Sequence, residues 1–79
     1  MSKTPTPEEL AAMSNDELRK NAPARLNANQ AGAILGAGRS TIYRWAEDGK
    51  LPGALKINGL LRIDRDTLLD HLEQLIEAA

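Results

Sequence analysis

The chain has 79 residues, of which 27% are charged, with no Cys, no Phe and one Trp. It therefore forms one domain with a small core, burying ~60% of its unfolded surface. Disulfides and thiolate metal sites are excluded, no apolar run reaches the ~20 residues of a membrane span, and the N-terminus lacks the apolar core of a signal peptide. The net charge is only −1, yet it is unevenly spread: residues 1–23 carry −1, residues 24–63 carry +4 and residues 64–79 carry −4. A basic middle between acidic ends offers a local field to a polyanion despite the overall balance.

Residues 1–23 read as an N-terminal extension, partly helical or disordered. Met1 to Pro5 have nothing to bury. Thr6-Pro7-Glu8-Glu9 supplies an N-cap, a Pro at N1 and a Glu at N3, and Ser14-Asn15-Asp16-Glu17 is a second capping box. One or two short helical turns are expected over residues 7–20, docked by few apolar residues (Leu10, Met13, Leu18). Pro23 ends this segment.

The domain proper spans residues 24–79. Asn27 is an N-cap with Gln30 at N3, and Leu26 before it forms half of a hydrophobic staple with Ala31. The helix runs to Leu35, where Gly36 supplies the left-handed residue that ends it. A second helix covers about Arg39 to Asp48 and stops at Gly49. Lys50-Leu51-Pro52-Gly53 is a turn and linker. Residues 54–63 read as a β-hairpin around Asn58-Gly59. A two-residue loop pairs Ile57 with Leu60 and Leu55 with Arg62, mixing apolar and charged residues on one face. A three-residue loop, 58–60, pairs Ile57 with Leu61 and Leu55 with Ile63. That second register turns all four apolar residues to the core and sets Lys56 opposite Arg62 outside, so burial favours it. Gly59 is not at the usual last position of such a loop, which leaves the turn type open. Asp64 caps a last helix whose apolar stripe includes Leu68, Leu69, Leu72, Leu75 and Ile76.

The stretch LNANQAGAILGAGRSTIYRW, residues 26–45, carries the function. A helix-turn-helix needs a small residue where its helices touch, a Gly at the turn and apolar residues inside the second helix. Gly32, Gly36, and the inward set Ala31, Leu35, Ile42 and Trp45 meet those needs. Arg39, Ser40, Thr41, Tyr43 and Arg44 remain outside, near the end of the helix that reaches base edges. Arg39 and Arg44 suit the two acceptors of a guanine edge, while Ser40 and Thr41 suit phosphate. Tyr43 fits either a thymine methyl group or the sugar-phosphate backbone. Asn27, Lys50, Lys56, Asn58 and Arg62 are the candidate backbone and wing contacts. Two readings fit the facing Lys56 and Arg62: they grip a phosphate between them, or they protect a sheet edge. Leu60 at the tip is either an apolar wedge between base steps or an ordinary exposed Leu.

The order of helix, Gly turn, recognition helix, Gly49-Lys50-Leu51-Pro52, hairpin, Ile63-Asp64-Arg65-Asp66 and Leu-rich helix resembles the excisionase-type (MerR-like) winged-helix family. The matching residues include Leu26, Asn27, Ala31, Leu35, Gly36, Arg39 to Tyr43, Trp45, Ile57, Arg62, Ile63 and Leu68. The resemblance covers residues 26–72. It implies a mainly α winged helix-turn-helix with a small β-hairpin that binds double-stranded DNA without catalysis or cofactor, in the cytoplasm of a bacterial or phage-infected cell. Family members include phage excisionases, also called recombination directionality factors, which bind tandem sites, bend DNA and contact an integrase. So small a contact surface gives a weak monomer interaction, so self-association with cooperative binding at tandem sites on DNA is expected as well. This chain departs from the usual residues at Gly38, where Ser is common, and at the Arg-poor tip Asn58-Gly59-Leu60. A prophage transcription regulator and a DNA-packaging subunit share the pattern. A reading of another class is a protein-interaction adapter acting through Leu72, Leu75 and Ile76 of the last helix.

No residue set suggests an active site. Residues 36–41 lack the Lys of a phosphate loop and follow a helix rather than a strand. His71 is the one His and no second ligand type clusters with it.

Overall fold

A computed structural model describes the backbone of residues 4–78 and the side chains of residues 4–74. The elements in chain order are α1 (Pro7–Ala11), α2 (Asn15–Asn21), β1 (Arg25–Leu26), α3 (Ala28–Leu35), α4 (Arg39–Glu47), β2 (Ala54–Ile57), β3 (Leu60–Asp64) and α5 (Arg65–Ala78). The fold is mainly helical, with one antiparallel sheet in the order β1-β3-β2.

Local chemistry starts the helices where the sequence places them. The Thr6 and Ser14 hydroxyls accept from the Glu9 and Glu17 amides, and the two carboxylates accept in return from the Thr6 and Ser14 amides. Asn27 and Gln30 make the same reciprocal pair at 2.8 Å each way. Each box satisfies two amides that a helix start otherwise leaves without partners. The Asp64 carboxylate accepts from the Thr67 amide at 3.0 Å and its hydroxyl at 2.7 Å, fixing the start of α5. These bonds hold the Asp64 carboxyl below its ordinary range, with Arg25 and Arg65 adding smaller effects in the same direction.

Few apolar residues dock the N-terminal helices, with Ala22 at the end of α2 also in the core. Leu10 is 1% exposed and Leu18 2%, both within the core, and Met13 packs half-buried against it. Arg19 of α2 reaches α5, bonding Asp70 at 2.6 Å and Glu73 at 3.2 Å. Arg65 donates to the Ala22 carbonyl at 2.7 Å and closes the same seam.

The centre of the core is Leu26, Ala31, Ile42, Ile63, Leu68 and Leu69. Each large side chain among them contributes about 1.5–3 kcal/mol through burial. The staple expected from Leu26 and Ala31 places both residues in this cluster.

The hairpin register differs from the expectation. The pairs are Ala54 with Ile63, Leu55 with Arg62, Lys56 with Leu61 and Ile57 with Leu60. The loop is therefore the two residues Asn58-Gly59, with φ of 50° and 80°. Both angles are positive, as the tight hairpin turn matched to strand twist requires. A three-residue loop would have demanded a left-handed conformation at its last position, Leu60, which a branched side chain resists. The core also needs less of β2 than burial arguments suppose, because Leu61 and Ile63 of β3, with Leu26 of β1, already fill that side. Strand β2 is thus reversed face for face. Leu55 and Ile57 point outward, and Lys56 shares a face with Leu61 and Ala54 rather than with Arg62.

Candidate nucleic-acid interface

Helices α3 and α4 meet at Gly32. A Cβ there would stand 2.5 Å from the Ala37 carbonyl oxygen and 3.5 Å from Ile42 Cγ1. Only a hydrogen fits, and the close approach sets the angle at which α4 leaves the turn. The turn is closed by Gly36, which adopts φ 72° and donates to the Gly32 carbonyl. Ala37 donates to the same carbonyl at 2.9 Å. Gly38 precedes α4 and gives no side-chain cap. Ile42 is fully buried under α4, while Leu35 and Trp45 are half-buried at the margin of the core.

The outer face of α4 carries Arg39, Ser40 and Arg44 exposed, with Thr41 and Tyr43 half-buried. The Arg39 guanidinium sits over the Tyr43 ring, 5.4 Å from its centre. A cation over an exposed ring gains about 0.5–1 kcal/mol, so the Tyr43 ring, itself packed on the core, narrows the positions open to Arg39.

Beside this pair lies a cleft of about 280 Å³ lined by Asn27, Asn29, Arg39, Tyr43, Leu60 and Arg62. It runs between the start of α3, the first half of α4 and strand β3. The Arg62 guanidinium is held at its edge by donating to the Leu61 carbonyl at 2.8 Å. Elements distant in sequence thus bring Asn27, Arg39, Tyr43 and Arg62 together. Asn29 joins them and was not foreseen; its signal is a polar residue in the first turn of a capped helix, where free amides remain.

The other candidates are elsewhere. Lys56 lies on the opposite face of the hairpin from Arg62, 4.0 Å from Glu47, so the facing pair expected from the three-residue loop does not form. Asn58 is exposed at the turn. Lys50 borders a separate apolar groove of about 240 Å³, formed with Leu35, Trp45, Leu51, Leu68, His71 and Leu72. Leu75 and Ile76 of the supposed protein interface lie outside the described side chains. Among the described residues no polar or charged side chain is buried, so the charged chemistry is all at the surface. No helix among them is long and apolar enough to cross a membrane.

Two helices meeting at a glycine, an exposed cationic second helix and an adjacent hairpin define a winged helix-turn-helix. The chain belongs to the helix-turn-helix domain family, whose sequence model matches residues 25–75. Membership implies binding to double-stranded DNA. No curated protein and no solved structure gives a match.

Proposed function

We propose that this protein binds a specific DNA sequence with α4 in the major groove and the hairpin on the neighbouring backbone, and that it acts as an excisionase-type factor of a phage or prophage. The observation that carries the DNA-contact reading is the shared cleft, in which the recognition helix and the wing present Arg39 and Arg62 to one space. In this reading Arg39 and Arg44 read guanine edges, each bidentate contact giving about 1–3 kcal/mol of discrimination. Ser40 and Thr41 donate to phosphate, and Tyr43 orients Arg39 while touching the strand. Asn27, Asn29 and Arg62 hold the phosphates beside the cleft, with Asn58 at the wing tip. The Asn27 Oδ1 is already taken by the helix cap, so Asn27 contributes its Nδ2. Lys50 and Lys56 are secondary: one borders the apolar groove and the other faces Glu47.

The excisionase role rests on the family resemblance of residues 26–72. It implies tandem sites, DNA bending and an integrase as protein partner, and the small contact surface of one copy favours self-association on DNA. The apolar groove beside Leu72 offers that partner a surface. The test is a gel-shift titration on attachment-site DNA next to an integrase gene, at two salt concentrations. A ladder of cooperative, salt-sensitive complexes supports an excisionase. One complex at a promoter instead identifies a transcription regulator. No binding at low salt removes the DNA reading and leaves the adapter. Arg39→Ala should lower affinity for the specific site by about 10–100-fold, the equivalent of one bidentate contact, with an unchanged circular dichroism spectrum. An unchanged affinity would mean that α4 is not the reading helix.

A further inference from the structure

The wing ends in an apolar surface. Leu55, Ile57 and Leu60 are the large apolar residues that the structure leaves exposed among those described, at 54%, 51% and 57%. The register puts all three on one face, with Ile57 directly opposite Leu60 beside the Asn58-Gly59 turn. A wing that grips phosphates needs cations at its tip, and residues 57–60 contain none. The cation on this face is Arg62, two pairs back from the tip and opposite Leu55. Lys56 is on the other face and near Glu47.

We propose that Ile57 and Leu60 form a wedge that enters the minor groove of the bound duplex and parts the stacking of one base step. The proposal rests on the DNA-binding reading given above and deepens it. Two observations choose DNA as the occupant. Leu60 lines the same cleft as Arg39, Tyr43 and Arg62, so the apolar tip continues the face assigned to DNA. The spacing fits: Arg62 lies two residues behind Leu60, roughly 7 Å along the strand, and the minor groove is about 7.5 Å deep. With Leu60 at the floor, the backbone of Arg62 stands level with the phosphates at the rim, and its guanidinium reaches them by leaving the Leu61 carbonyl. A wedge in the minor groove kinks the duplex toward the major groove of that same step, away from the wing, so insertion is read as a bend. The tight turn supports the insertion, because two consecutive residues with positive φ keep the tip only two strands wide.

The strand carrying Leu55 and Ile57 is also a sheet edge, so docking of a second copy is the competing occupant and is kept as an outcome of the test. The probe is the tightest duplex recovered from a random-sequence selection, with 2-aminopurine placed in turn at each step around the site and a donor–acceptor dye pair at its ends. Wild-type protein should raise 2-aminopurine emission at one step and shorten the end-to-end distance. The double variant Ile57→Thr, Leu60→Thr keeps β-branched or strand-compatible residues at both positions. It should retain salt-dependent binding, with affinity down by less than about 100-fold, and lose both the emission and the bend. Leu55→Thr, on the same face but away from the tip, should keep both. Flat emission with wild-type protein bound overturns the wedge, as does a double variant that bends DNA normally. A double variant that loses cooperative loading while wild-type emission stays flat overturns it in favour of a second copy. Absence of any DNA binding by wild-type protein removes the underlying reading along with the wedge.

Discussion

Gly32→Ala tests whether the close contact between α3 and α4 sets the interface. The added methyl would lie 2.5 Å from the Ala37 carbonyl oxygen, where real side chains stay beyond 3.0 Å. The obstacle is backbone in a closed turn, so the chain must shift by at least half an ångström or so to relieve it. Such overpacking costs about 1–3 kcal/mol, against a gain of at most ~1 kcal/mol from replacing a helical glycine by alanine. The difference is a net loss of up to ~2 kcal/mol, and a loss of ~1 kcal/mol, the middle of that range, lowers the Tm by roughly 4–8 °C in a domain of this size. The displaced carbonyl belongs to the residue before Gly38, so the movement also carries the start of α4 and Arg39 with it. DNA affinity measured well below the Tm should therefore fall in a variant that is still folded. Thermal melts by circular dichroism and calorimetric titration read the two effects. A Tm equal to or above that of the unaltered protein would refute the argument, because it would mean that the helices separate freely.

Gly38→Ser should raise the Tm by a few degrees: Gly38 has ordinary extended angles and open space where a Cβ would stand, and a Ser supplies the missing cap, worth a few tenths of a kcal/mol over Gly. Arg62→Ala should reduce the slope of log affinity against log salt by about 0.9, the share of one phosphate contact, whereas Lys56→Ala should leave that slope within error; equal effects would restore the facing-pair arrangement. Acid should destabilise the protein through Asp64. Its folded carboxyl binds protons less readily than the unfolded one, so its contribution is full above the ordinary aspartate pKa, ~3.9, and is lost as pH falls through the depressed folded value. Asp64→Asn melts should accordingly show a shallower fall in Tm below pH 4 than the unaltered protein; identical acid profiles would contradict the cap's role.

Helix starts and stops were legible in the sequence because their causes span three or four residues. Thr6 and Glu9, Ser14 and Glu17, and Asn27 and Gln30 find each other within one turn, and Gly36 needs only its own missing Cβ to end α3. Gly32 was legible too, since the helix-turn-helix makes a small residue necessary at that spacing. The face of β2 was not. Counting apolar residues favoured burying Leu55 and Ile57, but that count treats the core as having room for them. Leu26 from β1, a strand of two residues too short to leave a pattern, pairs with Ile63 and occupies that space. The backbone preference of Asn58-Gly59 then decides the register. The cleft was likewise beyond sequence reach, because Asn29, Arg39 and Arg62 are neighbours only after β3 is laid beside α3 and α4. Local hydrogen bonding and the glycine steric rule operate on nearby residues, and the sequence by itself determined what they govern. Which apolar residues stay outside, and which cations share a surface, depends on how limited core volume is divided among distant segments, and only the tertiary structure decided that.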